Sequence, residues 1–360
     1  MSHPDMEPID EAVDLLTQAW SLRDASQLQK ARACCVRAAE IFELRDGPES
    51  PDLANTLNLL ASIHVELGEY PDAVAAATHA ASICAGWDCH FDGDDVARIA
   101  MQAWTALGTA YRFQARYALA EAELKRALET SIRQFGGEHP ESRMARNNLG
   151  VLYKYTGQFD RAETLYRAAL QGAEGTELAT LYHNLGGLEH ARGRFAEGES
   201  WARKAWVLRK SLLGPEEPAT LADEAALAGV LDGLERYDES EQIYHHVLGK
   251  FEEIYGPNHY EIAVNLHNLA GVQCARRRLE EAELTYRRAL VLKENLLGSD
   301  HPDTALTAHN LGVLLMDMGR NHEAAGLIED ALQVFEATLS PDHPHRLLTC
   351  AGRRVTKPRP

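Results

Sequence analysis

Positive charge is what this sequence is short of. Its 36 Lys and Arg face 54 Asp and Glu, for a net charge of −18. A surface this acidic repels phosphate backbones, so nucleic acid is not an expected partner and a neutral or basic one is favoured. Long hydrophobic runs are missing too. No stretch approaches the roughly 20 apolar residues of a membrane span, so no membrane partner is expected. The opening MSHPDMEPIDEAVD is acidic and has no apolar core, so it does not read as a signal peptide. Six Cys among 360 residues, irregularly spaced, give no disulfide framework and point to a reducing, cytoplasmic setting. Catalytic signatures are absent: there is no P-loop, no G-x-S-x-G and no H-E-x-x-H, and HEAAG at 322–326 lacks the second His. No cofactor is expected, and the chain reads as non-enzymatic, although dispersed residues can converge in a groove.

What is present is a repeat. His183-Asn184-Leu185-Gly186 recurs as His309-Asn310-Leu311-Gly312 and, nearly, as His267-Asn268-Leu269-Ala270. The small residue closing each such step is an anchor: Ala19, Ala61, Gly108, Gly150, Gly186, Ala228, Ala270 and Gly312, separated by 42, 47, 42, 36, 42, 42 and 42 residues. Twelve positions on stand Ala31, Ala73, Ala120, Ala162, Gly198, Ser240, Ala282 and Ala324; seven further stand Ala38, Ala80, Ala127, Ala169, Ala205, Val247, Ala289 and Ala331. Apolar and small residues at spacings of three, four and seven mark one helix face, so each repeat predicts two antiparallel helices. Gly68, Gly157, Gly193 and Gly319 fall at the turn between them, where positive φ closes a helix. Between repeats, GGEHP (136–140), GPNHY (256–260), GSDHP (298–302) and SPDHP (340–344) end one helix on Gly or Ser and start the next on Pro or Tyr. The recurring loop His139, His259, His301 and His343 read as structural.

This pattern resembles the tetratricopeptide repeat, most plainly in NNLGVLYKYTGQFDRAETLYRAAL (147–170). The 42-residue period and the HP loops resemble its kinesin light chain type. The resemblance implies an all-α, right-handed superhelical solenoid of about eight helix-turn-helix repeats. Residues 1–10 would form a leader and 11–338 the solenoid, with repeats near 12–45, 54–87, 101–134, 143–176, 179–212, 221–254, 263–296 and 305–338. Residues 339–360 would make a capping segment and basic tail. It also implies a scaffold whose concave wall, built from first helices, holds an extended segment of a protein or peptide partner. Asn before Leu-Gly then clamps peptide backbone, because an amide both donates and accepts. Carried over residue by residue, the clamps are Asn148, Asn184, Asn268 and Asn310. Asn147, His183, His267 and His309 stand one position earlier, and Arg112, Lys154, His190, Asp232 and Asp317 a turn further along.

Alternatives stay open. The Asn amides could instead bond a neighbouring helix, and the His rings could be spacers packed on the next helix. A related reading is a regulator that changes superhelical pitch on binding peptide, with its hinge at the short step near Gly175. A different one is an accessory enzyme or a metal- or small-molecule-binding protein using the insertion at 84–95. There Cys84, Cys89, His90 and Asp92 are candidate metal ligands, although their spacing matches no common zinc module. The plainer account of the insertion has Cys84 in a core face, Trp87 packed over the insertion and Asp94 or Asp95 capping the next helix.

Overall fold

The computed structural model describes residues 8–24, 27–87, 93–341 and 343–347. Among them no strand occurs. Sixteen helices of 11 to 20 residues run in order. They are α1 (Pro8–Asp24), α2 (Leu28–Asp46), α3 (Pro51–Glu66), α4 (Tyr70–Gly86), α5 (Asp94–Phe113), α6 (Tyr117–Phe135), α7 (Pro140–Tyr155) and α8 (Phe159–Ala169). There follow α9 (Gly175–Ala191), α10 (Phe195–Leu213), α11 (Pro218–Gly233), α12 (Tyr237–Tyr255), α13 (Tyr260–Ala275), α14 (Leu279–Leu297), α15 (Pro302–Asp317) and α16 (Asn321–Thr338). Odd helices carry the anchors and even helices the other two small positions. The chain divides into two compact units, residues 1–149 and 150–360, with the division inside α7.

The small positions explain why the helices pair. All three sets are buried, and the anchors Gly108, Gly150 and Gly312 stand where a side chain has no room. A Cβ on Gly150 would lie 2.6 Å from Tyr166 Cε1, one on Gly108 2.7 Å from Leu124 Cγ, and one on Gly312 2.7 Å from Ile328 Cγ1. Larger residues fill the space beside these approaches. In the first unit Phe42, Leu53, Leu59, Ile63 and Trp104 share one core. In the second, Tyr244, Phe251, Ile262 and Leu266 form one cluster, and Tyr286, Leu311 and Leu315 another. Each such side chain contributes about 1.5–3 kcal/mol by leaving water.

The turn between paired helices keeps one backbone shape whatever its residue. Gly68, Gly157, Gly193 and Gly319 have φ of 76°, 75°, 73° and 80°. Where Gly is absent, Ala115, Glu235 and Arg277 adopt φ of 55°, 60° and 61°, a strained choice for a side-chain-bearing residue. The HP loops have an equally plain cause. Nδ1 of His139, His259, His301 and His343 accepts the backbone N–H two residues on, at 3.3, 3.3, 3.1 and 3.2 Å, so each imidazole caps a helix start. The two irregular steps differ in kind. The short one is realised as an α8 of only 11 residues. At the long one, Gly93 with φ 119° caps α5; the expected caps Asp94 and Asp95 instead sit in its first turn. Burial of Trp87 is helped by its Nε1–H, which donates to the Glu49 carbonyl at 3.2 Å.

A ladder of ion pairs joins successive second helices in the second unit. Arg236, at the start of α12, meets Glu199 of α10 at 2.7 Å. Arg278, at the start of α14, meets Glu241 of α12, and Arg320, at the start of α16, meets Glu283 of α14 at 2.7 Å. Burial works against ionisation of Glu199, Glu241 and Glu283, yet the guanidinium groups hold all three below the usual carboxylate range.

Candidate functional site: the inner faces of the two units

In the first unit the odd helices form an open groove of about 380 Å³. Leu59, Val65, Met101 and Met144 supply apolar surface, with Asn58, Ser62, Thr105 and Thr109 beside them. Trp20 and Met144 remain 41% and 47% exposed. The Asn58 amide donates to the Ile99 carbonyl at 2.9 Å, tying α3 to α5. Arg23 and Glu66 pair at 2.6 Å at the edge of the groove. Sequence reading missed this groove, because its lining residues share no recurring type.

The Asn and His positions fall on both units. Arg112, Asn147 and Asn148 belong to the first. The Arg112 guanidinium stacks 4.1 Å from the Phe113 ring, and Asn147 has interactions of its own. Asn148 is half-buried, and its amide makes no hydrogen bond among the described residues.

The others belong to the second unit, where several are engaged with a neighbouring repeat. His183 Nδ1 lies 2.8 Å from Asp223 Oδ1, and Arg209 Nε donates to Asp223 Oδ2 at 2.7 Å. That carboxylate is 1% exposed. Two repeats further on, His267 Nδ1 donates to Thr307 Oγ1 at 2.9 Å while its Nε2 accepts from the Asn310 amide at 3.3 Å. Burial, then Lys293, holds the His267 imidazole well below its usual range. Lys293 occupies the repeat position of Arg209; it too is buried, and its Nζ donates to the Asp303 carbonyl at 3.3 Å. His309 Nδ1 donates to Asn310 Oδ1 at 3.3 Å. Burial pushes the phenols of Tyr244 and Tyr286 up, with Asn268 and Asn310 acting on them in the opposite sense. Asn184 is buried and engaged.

A barer strip runs beside these contacts. The residue after the anchor is Gly187, Gly229 and Gly271 in three successive repeats. Lys154 Nζ lies 3.3 Å from where a Gly187 side chain would begin, and His190 Nε2 lies 3.8 Å from the same point on Gly229. His190 is exposed, yet the protein atoms crowded around its ring push its imidazole down, and Lys154 adds to that shift. Asp317 is exposed and reaches Arg277 only at 3.8 Å.

Cys84 is buried, and burial pushes its thiol up to about 12, which keeps it protonated and a poor metal ligand. Cys89, His90 and Asp92 lie outside the described residues. Elsewhere His64, Glu69 and Asp72 bring one imidazole nitrogen and two carboxylates within 4.8 Å, but Arg32 already pairs with Glu69 at 2.6 Å. Among the described residues no helix is long and apolar enough to cross a membrane.

Tetratricopeptide repeat profiles match residues 14–85, 99–175, 178–219, 221–295 and 261–337. A clustered mitochondria protein homolog from Coccidioides immitis is 28% identical over 128 residues, which is 34% of this chain and 10% of that protein, so the chain spans about a tenth of that relative's length. Among solved structures, the Rap conjugation gene regulator of plasmid pLS20, in complex with the Phr* peptide, superposes with a TM-score of 0.63 at 13% identity, covering 92% of this chain and 94% of that one. A putative kinesin light chain repeat structure from Podosopora anserina is 18% identical with a TM-score of 0.44, covering 56% of this chain and 96% of that one.

Proposed function

The chain belongs to the tetratricopeptide repeat family, and from that premise we propose that it is a non-enzymatic scaffold that holds an extended segment of a protein partner against its first helices. The observation that carries this reading is the open groove of the first unit. An apolar floor with an exposed Trp20 and Met144 takes side chains, and neighbouring amides and hydroxyls take backbone, which is the composition of a peptide site. Asn148, with its amide uncommitted, is the backbone clamp of this proposal. Asn184, Asn268 and Asn310 contribute by holding the inner wall in shape. The Rap regulator's peptide complex is in keeping with the same use of the fold. Net charge −18 favours a neutral or basic segment.

Site-specific photocrosslinking tests this. A benzophenone side chain at Met144 or Ser62 is expected to capture one recurring partner sequence, mapped by mass spectrometry. The same group at Leu284, which is 72% exposed on α14, serves as control. Capture at Leu284 equal to that at Met144 would overturn the proposal. Asn148→Ala is expected to weaken capture about fivefold or more, the worth of one or two hydrogen bonds.

A further inference from the structure

We propose that Asp232 receives a lysine or arginine side chain of the segment bound along the inner face of the second unit. This inference rests on the peptide-scaffold reading above and adds a charge requirement to it.

The position follows from the repeat register. Lys154, His190 and Asp232 each stand four residues after their anchors. The first two lie over Gly187 and Gly229 of the following repeat, at 3.3 and 3.8 Å from where a side chain would begin. The same register puts Asp232 in the row facing Gly271, although the shorter side chain comes no nearer than 4 Å to that glycine's missing side chain. The Tyr286 hydroxyl is 3.7 Å from that glycine's missing side chain, and the Asp232 charge acts on the Tyr286 phenol.

Asp232, like Glu261, lacks the arginine partner that other acids of this unit have. Glu163, Glu199, Glu241 and Glu283 each hold at least one arginine at 2.8 Å or closer. The Asp232 carboxylate has no hydrogen bond or ion pair among the described residues. Burial alone raises its proton affinity, with no cation to counter it. A partly desolvated carboxylate without a partner is unfavourable, and an ammonium or guanidinium group removes that penalty through a charge-assisted hydrogen bond. Gly271, with only the Tyr286 hydroxyl within 4 Å of its missing side chain, leaves room for the incoming side chain. Lys154, two repeats earlier in the same row, makes the strip electrically polar, so a cation is drawn to the Asp232 end.

The test uses the full chain, immobilised, and a positional-scanning library of N-acetylated, C-amidated heptapeptides at low ionic strength. The blocked ends leave side chains as the only charges. Wild type is expected to enrich Lys or Arg about tenfold over citrulline and norleucine at one position. Asp232→Asn, the same shape without the charge, is expected to keep binding and lose the enrichment, and Asp232→Lys to prefer Asp or Glu there. Circular dichroism checks folding of both variants. Retention of peptides with no cation preference, or a preference unchanged in Asp232→Asn, overturns the role of Asp232 and leaves the scaffold reading standing. If no peptide is retained at all, the scaffold reading falls, and this one with it.

Discussion

His343 and Tyr155 are 188 positions apart, yet His343 Nε2–H donates to the Tyr155 carbonyl at 3.0 Å. Pro344 Cδ lies 3.0 Å from the point where a side chain on Gly157 would begin. The segment after α16 thus returns to the end of α7, and the second unit closes on itself. His343→Ala removes this bond and the helix cap on His345. The expected cost is about 1–3 kcal/mol of local stability. Tryptic cleavage after Arg346, whose side chain bonds the Leu339 carbonyl, should then quicken about tenfold. An unchanged cleavage rate would show that the closure contributes nothing.

Acid should weaken the second unit. Burial pushes His309 and His343 below 6.5, His267 well below it, and His345 to about 4. Unfolded imidazoles therefore take up protons first, so stability is complete above pH 6.5 and is lost as pH falls toward 4. Burial raises Asp232 and Glu261, which act in the opposite sense, but they are two groups against four. Thermal melts should show Tm about 5–10 °C lower at pH 5 than at pH 7. A flat or rising profile would contradict the assignment.

The Arg209–Asp223–His183 network is buried, so its members are expected to be strongly coupled. Asp223→Ala should cost about 3–5 kcal/mol by stranding the guanidinium. Asp223→Leu together with Arg209→Met should cost much less than the two single changes added. Chemical denaturation of the four proteins of this cycle measures the coupling, and strict additivity would refute it.

Two glycines make opposite predictions. Gly150→Ala drives a methyl into the Tyr166 ring and should destabilise by about 1–3 kcal/mol. Gly271→Ala meets only the Tyr286 hydroxyl at 3.7 Å, an ordinary contact, and should stabilise α13 by about 0.5–1 kcal/mol through helix propensity. Melting temperatures that move the same way would count against this account of the inner wall.

The helix pairs were readable because buried small residues recur at fixed offsets, and Ala19, Ala31 and Ala38 are as buried as their counterparts in later repeats. The loop histidines were readable as structural, though not as caps. The bonds of His183 and His267 were not, since each partner, Asp223 or Thr307, lies 40 residues on and differs in type. The Arg–Glu ladder had a periodic signal, Glu199, Glu241 and Glu283 on one register and Arg236, Arg278 and Arg320 on another, but charges at helical spacing look the same whether solvated or paired. The division inside α7 leaves no mark in a sequence that is helical across it.

That ladder also bears on how such a chain gains and loses length. Each arginine reaches the glutamate 37 residues before it. Excising residues 229–270, one full period, would bring Arg278 to Glu199 in the register that Arg236 holds now. Unequal recombination between neighbouring copies therefore leaves matched charges at the new junction, whereas a cut that is not a whole number of periods strands an arginine against the wrong turn of helix. The pairs act as a proofreading mark for repeat number, tolerating whole modules and rejecting fractions.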